Sequence, residues 1–336
     1  MTQMFLRFYW VVAIFFIPFL DAKVLIVTHS YNQPEFIEWQ VASFKKFLKD
    51  DYEYVVFNDA SDEKLKNKIE ETCAQLQVPC YRIPQELHGE LPLSACSERH
   101  CDGIQYSLDH SGFDHKGIVA IIDSDMFLIK PFSIENYLHG YEIAGPCLWG
   151  SYISWIHKKE AEYIGYLWPI IAFINMETLP NKNSLHFQNG VIDGFSLDTG
   201  AFSYYFFKEN PEVNVRMMRK QFEINRTGYR YPFIFNLNEV PEFPKDTVLC
   251  KSILRKQPLK DWGAFYVNKE MLPYYVEHEH RDSALRLIVS GCEDIQFFEN
   301  FTFLHYGRGS LYYGSESCHS HKAERIKQFL EEIGVL

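Results

Sequence analysis

The chain has 336 residues, of which 47% are hydrophobic and 23% are charged, and its formal net charge is -11. A chain of this length and composition buries the core of one large globular domain or two small ones, which excludes a disordered protein. The negative charge excludes a nucleic-acid-binding groove, because such a groove needs a basic stripe that this sequence lacks.

The N-terminal segment is a separate unit. Residues 8–20 form an uncharged run that follows Arg7. The run is shorter than the about 20 apolar residues of a membrane-spanning helix, and its length matches the core of a secretory signal peptide. We expect residues 1–22 to be a cleaved signal peptide or, alternatively, a short signal-anchor that associates with a membrane through residues 4–20. Both alternatives predict an exported or membrane-associated protein, in a secretory lumen or a cell envelope.

Strand and helix patterns alternate after this segment. Helices are predicted from Pro34, from a cap at Ser61, and over residues 97–110, each with apolar residues at helical spacing. Uniformly apolar runs lie between these helices and predict strands that are buried on both faces. This alternation predicts an α/β fold with a mostly parallel central sheet flanked by helices. The predicted strands cover residues 23–28, 54–57, 78–83 and 117–122.

The second half of the chain has a less regular pattern. We predict strands over residues 169–174 and 301–304, and a final helix over about residues 323–333. A glycine-containing loop over residues 190–200 precedes an apolar helix at 201–207. Residues 208–290 give no clear prediction.

Two acidic residues follow the strand at 117–122. Asp123 and Asp125 are separated by Ser124, and side chains two residues apart in an extended chain point the same way. Two carboxylates held this close repel each other unless a cation lies between them, and Mg²⁺ and Mn²⁺ prefer carboxylate oxygen. The pair therefore predicts a metal site, with two loop aspartates that cap a turn as the alternative.

Five short motifs occur in an order that resembles the GT-A fold glycosyltransferases. They are T-H-S-Y-N at 28–32, N-D at 58–59, D-S-D at 123–125, L-D-T-G at 197–200 and H-Y-G at 305–307. The resemblance covers residues 23–333. It implies a single catalytic domain over 23–336 with a Rossmann-like nucleotide-sugar half at 23–131. The acceptor half and a C-terminal lid would occupy 132–336.

The resemblance also implies a set of metal ligands. It places Asp123 and Asp125 on Mn²⁺ or Mg²⁺, against the diphosphate of a nucleotide sugar. His305 matches the C-terminal metal-binding histidine of the family. The alternative for His305 is a hydrogen-bonded histidine of the core.

The residues that bind the nucleotide are implied in the same way. Thr28, Ser30 and Asp59 match positions that hold the base and the ribose, although Asp59 could instead cap the following helix. Arg99 matches a cation near the phosphates, with a solvated helix face as the alternative. Arg308, in a glycine-containing loop, is expected to close over the diphosphate.

An inverting transferase also needs a base near the acceptor hydroxyl. Asp198 is our candidate, because it follows the glycine-containing loop at the expected start of a helix. A helix cap is the alternative role, and Asp193 is the second choice of base. The family often has a glutamate-aspartate pair here, where this chain has Leu197 and Asp198.

The motifs together predict metal-dependent transfer of a sugar from a nucleotide sugar, with a UDP-sugar favoured. The acceptor would be a hydroxyl of a glycan, a lipid or a protein. One alternative is an exported carbohydrate-binding protein without catalysis. A nucleotidyltransferase is a weaker alternative, because residues 28–33 lack the glycine and the cation of its phosphate loop.

Overall fold

The computed structural model describes residues 24–91, 95–151, 163–225, 228–234, 248–256, 262–267, 276, 278–290, 292, 295–307 and 316–336. The expected signal or anchor segment at 1–22 and the expected phosphate-binding Arg308 lie outside these residues. A search of the described residues finds no helix with the length and apolar character needed to cross a membrane.

The secondary structure alternates in the first half and is strand-rich in the second. The strands are β1 (Val24–Ser30), β2 (Tyr52–Asn58), β3 (Cys80–Arg82), β4 (Ile118–Ile122), β5 (Met126–Leu128), β6 (Ile143–Gly145), β7 (Cys147–Ser151), β8 (Tyr163–Leu167), β9 (Ile171–Asn175), β10 (Gly190–Ile192), β11 (Phe195–Leu197), β12 (Val215–Met217), β13 (Lys220–Asn225), β14 (Gly228–Ile234), β15 (Trp262–Val267), β16 (Gln296–Phe298) and β17 (Phe303–His305). The helices are α1 (Pro34–Phe47), α2 (Glu63–Leu76), α3 (Cys96–Ser107), α4 (Ile134–Leu138), α5 (Ser203–Glu209), α6 (Val248–Leu254), α7 (Arg281–Val289) and α8 (Glu316–Glu332).

The central sheet has seven strands in the order β12-β6-β9-β4-β1-β2-β3. Strands β3, β2, β1 and β4 are mutually parallel, whereas β9 runs antiparallel to both β4 and β6. The predicted α/β fold with a mostly parallel central sheet is therefore confirmed. The carboxyl ends of β1, β2 and β4 lie at one edge, where such sheets bind ligands.

Apolar layers cover both faces of this sheet. Alternate residues of β1 belong to different core clusters: Val24 and Ile26 lie in one, Leu25 and Val27 in the other. Residues of α1 and α2 pack in the first cluster and residues of α3 in the second. This two-sided burial explains why the strand sequences are apolar without alternation.

The start of α2 differs from the prediction. Asp62, and not Ser61, is the N-cap, because its side chain accepts a hydrogen bond from the backbone N–H of Leu65 at 2.9 Å. Ser61 instead donates its backbone N–H to the side chain of Asn32 at 2.9 Å. This hydrogen bond between Ser61 and Asn32 links the loop after β1 to the loop after β2.

A second, six-stranded sheet has the order β15-β14-β13-β16-β17-β5, with antiparallel pairing throughout. Its strand β5 directly follows the D-S-D motif and pairs with β17, where Met126 lies opposite His305. This pairing carries His305 to the edge at which β4 ends.

Candidate active site

Asp123, Asp125 and His305 lie together, and each offers a ligand atom within 4.8 Å of the others. The Nε2 atom of His305 is 3.0 Å from Oδ1 of Asp125 and 3.9 Å from Oδ2 of Asp123. The two aspartates converge through a tight turn, in which the backbone N–H of Met126 donates to the carbonyl of Asp123 at 3.0 Å. The sequence argument from an extended chain was therefore wrong about the backbone, although the side chains do meet.

The donor set fits a divalent cation. Metal bonds of about 2.0–2.2 Å bring neighbouring ligand atoms to about 3 Å from each other, as seen between Asp125 and His305. Nδ1 of His305 lies 3.3 Å from Oε1 of Gln296, an oxygen that can accept a hydrogen bond from it. Nε2 faces the carboxylates, so a cation held there would meet unprotonated Nε2, the form in which histidine binds metals.

Gln40, on α1, holds the aspartate turn through hydrogen bonds from its side chain. Its side-chain N–H groups donate to the carbonyls of Asp123 at 2.7 Å and Met126 at 2.8 Å. Its Oε1 accepts a hydrogen bond from the hydroxyl of Tyr54 at 2.7 Å. Gln40 is fully buried, and its hydrogen bonds fix the turn that presents both carboxylates. The sequence analysis missed this residue, although an amide on the inward face of α1 was a signal.

His100 is a further residue that the sequence analysis missed. Its Nε2 lies 2.9 Å from Oδ1 of Asp123, on the side away from His305. Burial lowers the pKa of His100, but the charge of Asp123 and the hydrogen bond to it outweigh burial and raise the pKa above its usual value. Asp123 therefore contacts one imidazole through each of its oxygens.

A cavity of about 210 Å³ extends from the metal-ligand cluster. Asp59 and Arg99 line one part of it, and Asp198 and Thr199 line another. The cavity therefore brings together predicted residues from both halves of the chain: the three metal ligands, Asp59 and Arg99 for the nucleotide, and Asp198 for the acceptor.

Asp59 and Arg99 form a buried pair, with Arg99 Nη2 3.1 Å from Asp59 Oδ1. Each residue is only 6% exposed, so Arg99 does not lie on a solvated helix face. Asp59 does not cap α2, because Asp62 does. The Nε atom of Arg99 is buried and has no hydrogen-bond partner among the described residues.

Thr28 and Ser30 are fully buried and do not line the cavity. The alternating side chains of the same segment, His29 and Tyr31, line it instead. Nε2 of His29 donates to Oγ of Ser107 at 3.0 Å, since that hydroxyl gives its own proton to the backbone. Burial, followed by the charge of His100, lowers the pKa of His29 well below its usual value. Within this segment, His29 and Tyr31 are therefore the residues whose side chains face a ligand in the cavity, and Thr28 and Ser30 are not.

Asp198 lies on the cavity wall and is exposed. It follows β11 of a short hairpin, and α5 begins only at Ser203 with no side-chain cap, so Asp198 is not at a helix start. Its Oδ1 accepts the backbone N–H of Thr199 at 2.8 Å. Gly200 has a φ of +93°, and a Cβ there would lie 2.0 Å from the carbonyl of Leu167. The L-D-T-G glycine is thus required by the turn that places Asp198.

Comparison with known proteins gives matches only among solved structures. No protein-family profile and no curated protein sequence matches the chain. A mannosyltransferase from Pyrobaculum calidifontis, solved with GDP-Man and Mn²⁺, matches with 14% identity and a TM-score of 0.36, over 60% of this chain and 55% of that one. The mannosyltransferase Ktr4p from S. cerevisiae matches with 12% identity and a TM-score of 0.33, over 47% of this chain and 57% of that one.

A third match is TarS from S. aureus, with 14% identity and a TM-score of 0.35, over 58% of this chain and 35% of that one. The chain thus spans between about a third and just over half of the length of these three proteins. At such identities and TM-scores the likeness carries no weight for activity, substrate or partners. The chemistry of the cavity has to be deduced from its own residues.

Proposed function

We propose that the protein is a metal-dependent glycosyltransferase that moves a sugar from a nucleotide sugar to an acceptor hydroxyl. One observation carries the proposal. Asp123, Asp125 and His305, which come from distant parts of the chain, meet at the carboxyl edge of a parallel sheet and face a cavity. Ligands of α/β sheets bind at that edge.

The three residues would hold Mn²⁺ or Mg²⁺. When bound, the cation supplies positive charge that stabilises the diphosphate leaving group. Gln40 keeps the aspartate turn in place, and Gln296 lies within hydrogen-bond distance of Nδ1 of His305, which leaves Nε2 facing the cation position. The chain itself therefore supplies a preformed set of ligands.

Asp59 and Arg99 match the hydrogen-bonding edge of uracil, the base of a UDP-sugar donor. Uracil presents one N–H between two carbonyl oxygens. The carboxylate of Asp59 can accept that N–H, and the guanidinium of Arg99, which lines the same cavity, can donate to a neighbouring carbonyl. We therefore propose a UDP-sugar as the donor.

Asp198 is the proposed base of an inverting transfer. It is an exposed carboxylate on the cavity wall, so it can accept the proton of an acceptor hydroxyl. The proposed acceptor is a hydroxyl of a glycan, a lipid or a protein. Export or membrane attachment is proposed from residues 1–22 alone, and N-terminal sequencing of the mature protein tests it.

The experiment is isothermal titration of the full chain with UDP- and GDP-sugars, with and without Mn²⁺, followed by a search for released UDP. We expect Mn²⁺-dependent binding of a UDP-sugar and slow UDP release that an acceptor accelerates. Binding of free glycans with no response to any nucleotide would instead indicate a carbohydrate-binding protein and contradict the proposal.

A further inference from the structure

A buried histidine links the cavity to an acidic residue outside it. His88, at the end of the 3₁₀ turn Gln85–His88, is only 2% exposed. Its Nε2 lies 2.9 Å from Oδ1 of Asp59, and its Nδ1 lies 3.0 Å from Oδ2 of Asp102 on α3. Asp59 lines the cavity, whereas His88 and Asp102 do not. His88 can therefore act on a ligand only through Asp59.

Three donors converge on one oxygen of Asp59. Oδ1 accepts from Nε2 of His88 at 2.9 Å, from Nε2 of Gln85 at 2.9 Å and from Nη2 of Arg99 at 3.1 Å. The other oxygen, Oδ2, takes part in none of these hydrogen bonds. Since a partly rotated carboxylate would lose all three, the network fixes the direction in which the remaining oxygen points.

We infer that the Asp102–His88 pair positions Asp59 so that a single carboxylate oxygen reads the nucleobase, which favours uracil over guanine. The inference rests on the proposed function, because it concerns the donor of that reaction. His88 and Asp102 are positioning residues, and Asp59 makes the contact.

The selectivity follows from the hydrogen-bonding edges of the two bases. Uracil presents one N–H, which one carboxylate oxygen satisfies. Guanine presents N1–H and the N2 amino group side by side, and this pair suits both oxygens of a carboxylate. While His88, Gln85 and Arg99 occupy Oδ1, guanine leaves one donor unpaired in a buried site, which is costly. Loosening the network frees Oδ1 and removes the discrimination against guanine.

Asp102→Asn is the first variant to test, because the Asp102 side chain is 26% exposed and the change keeps its shape. His88→Gln is the second and keeps one N–H donor. UDP and GDP are titrated into each full-length protein with Mn²⁺ present, and thermal melts check the fold. We expect UDP affinity to fall about tenfold in Asp102→Asn, as for loss of one hydrogen bond that involves a charged group, while GDP affinity holds or rises.

Glu98→Gln is the matched control. It removes one negative charge from the same helix, at a residue that does not line the cavity, and should leave the UDP to GDP ratio unchanged. A folded Asp102→Asn with an unchanged ratio, or with equal losses for both nucleotides, would overturn the inference. If His88→Gln fails to fold, the UDP to GDP affinity ratio of Asp102→Asn alone tests the inference. A wild-type protein that binds neither nucleotide would overturn the proposed function itself, whereas a selective wild type with selective variants overturns only the role of His88.

Discussion

The two ends of the cavity, the base end at Asp59 and the metal end at Asp123 and Asp125, balance the charges of their carboxylates in different ways. At the base end, Asp59 pairs with the guanidinium of Arg99, which is charged at all relevant pH values. At the metal end, Asp123 and Asp125 pair with the imidazoles of His100 and His305, which carry charge only when protonated. The base end therefore contains one permanent positive charge beside the imidazole of His88, whereas the charge balance of the metal end depends entirely on protons or on a cation.

The largest expected effect comes from Asp125→Asn. The variant removes a ligand from the metal end, and we expect it to abolish transfer. The free energy of unfolding should change by no more than about 1–2 kcal/mol, because the lost charge lies outside the apolar core. Product assays and chemical denaturation measure the two quantities. Unchanged activity, in the variant or in wild-type protein with EDTA, would show that transfer needs no cation at the metal end.

Asp198→Asn should lower turnover by about 10²–10⁴-fold, the usual contribution of a positioned base. Nucleotide-sugar affinity should stay nearly intact, because the hydrogen bonds described for the Asp198 side chain go to Thr199 and not to the Asp59 network or the metal ligands. Steady-state kinetics separate kcat from KM. Product stereochemistry is the independent check: a product that retains the donor's anomeric configuration excludes this role for Asp198.

His305→Ala tests the metal ligand that the second sheet contributes to the metal end. We expect Mn²⁺ affinity in the presence of UDP to fall by more than the about 10- to 100-fold that loss of an outer partner of a metal ligand costs. Titration of Mn²⁺ into the UDP-bound protein measures this. If Mn²⁺ affinity is retained and stability is lost, His305 is a core histidine and the metal end consists of the two aspartates alone.

Local patterns predicted the first half of the fold well. The apolar runs of β1, β2 and β4 and the apolar face of α1 reflect local burial, which a sequence records directly. The D-S-D motif was placed at the end of β4 for the same reason. Its backbone was mispredicted because a two-residue spacing does not distinguish an extended chain from a tight turn.

Long-range contacts account for what the sequence did not predict. The resemblance placed His305 among the metal ligands, but no local pattern specifies the pairing of β17 with β5 that brings it to Asp125. Gln40 meets the turn 83 residues away along the chain, and His88 meets Asp59 across 29 residues. Each of these polar residues occupies a position that local periodicity assigns to the core or to a loop. Only the assembled fold shows their partners.

Gln40→Leu tests whether the metal end is held from within the core. The change removes the hydrogen bonds of Gln40 to the carbonyls of Asp123 and Met126 and to the hydroxyl of Tyr54. The carbonyl of Asp123 keeps the bond from Met126 N–H, and each buried group left unpaired costs about 1–3 kcal/mol. Tyr54→Phe is the control, because it removes only the hydroxyl. We expect Gln40→Leu to reduce both the free energy of unfolding and Mn²⁺ affinity more than Tyr54→Phe. Equal effects would assign Gln40 to packing alone.

The smallest expected effect concerns His29, which lines the cavity beside His100. Burial lowers its folded-state pKa well below the unfolded value of about 6.5. The unfolded chain therefore binds an extra proton below that pH, and stability falls as the pH drops from 6.5 towards the folded-state pKa.

His29→Gln should remove this dependence, since its amide can still donate to Ser107. The free energy of unfolding of the wild type should fall by about 1 kcal/mol more per pH unit than that of the variant in this range. Denaturation at pH 7.5 and pH 5.5 measures the difference, with the exposed His139→Gln as the control. Parallel pH profiles for wild type and His29→Gln would mean that His29 is protonated in the folded protein, and the cavity wall would then carry a positive charge beside His100.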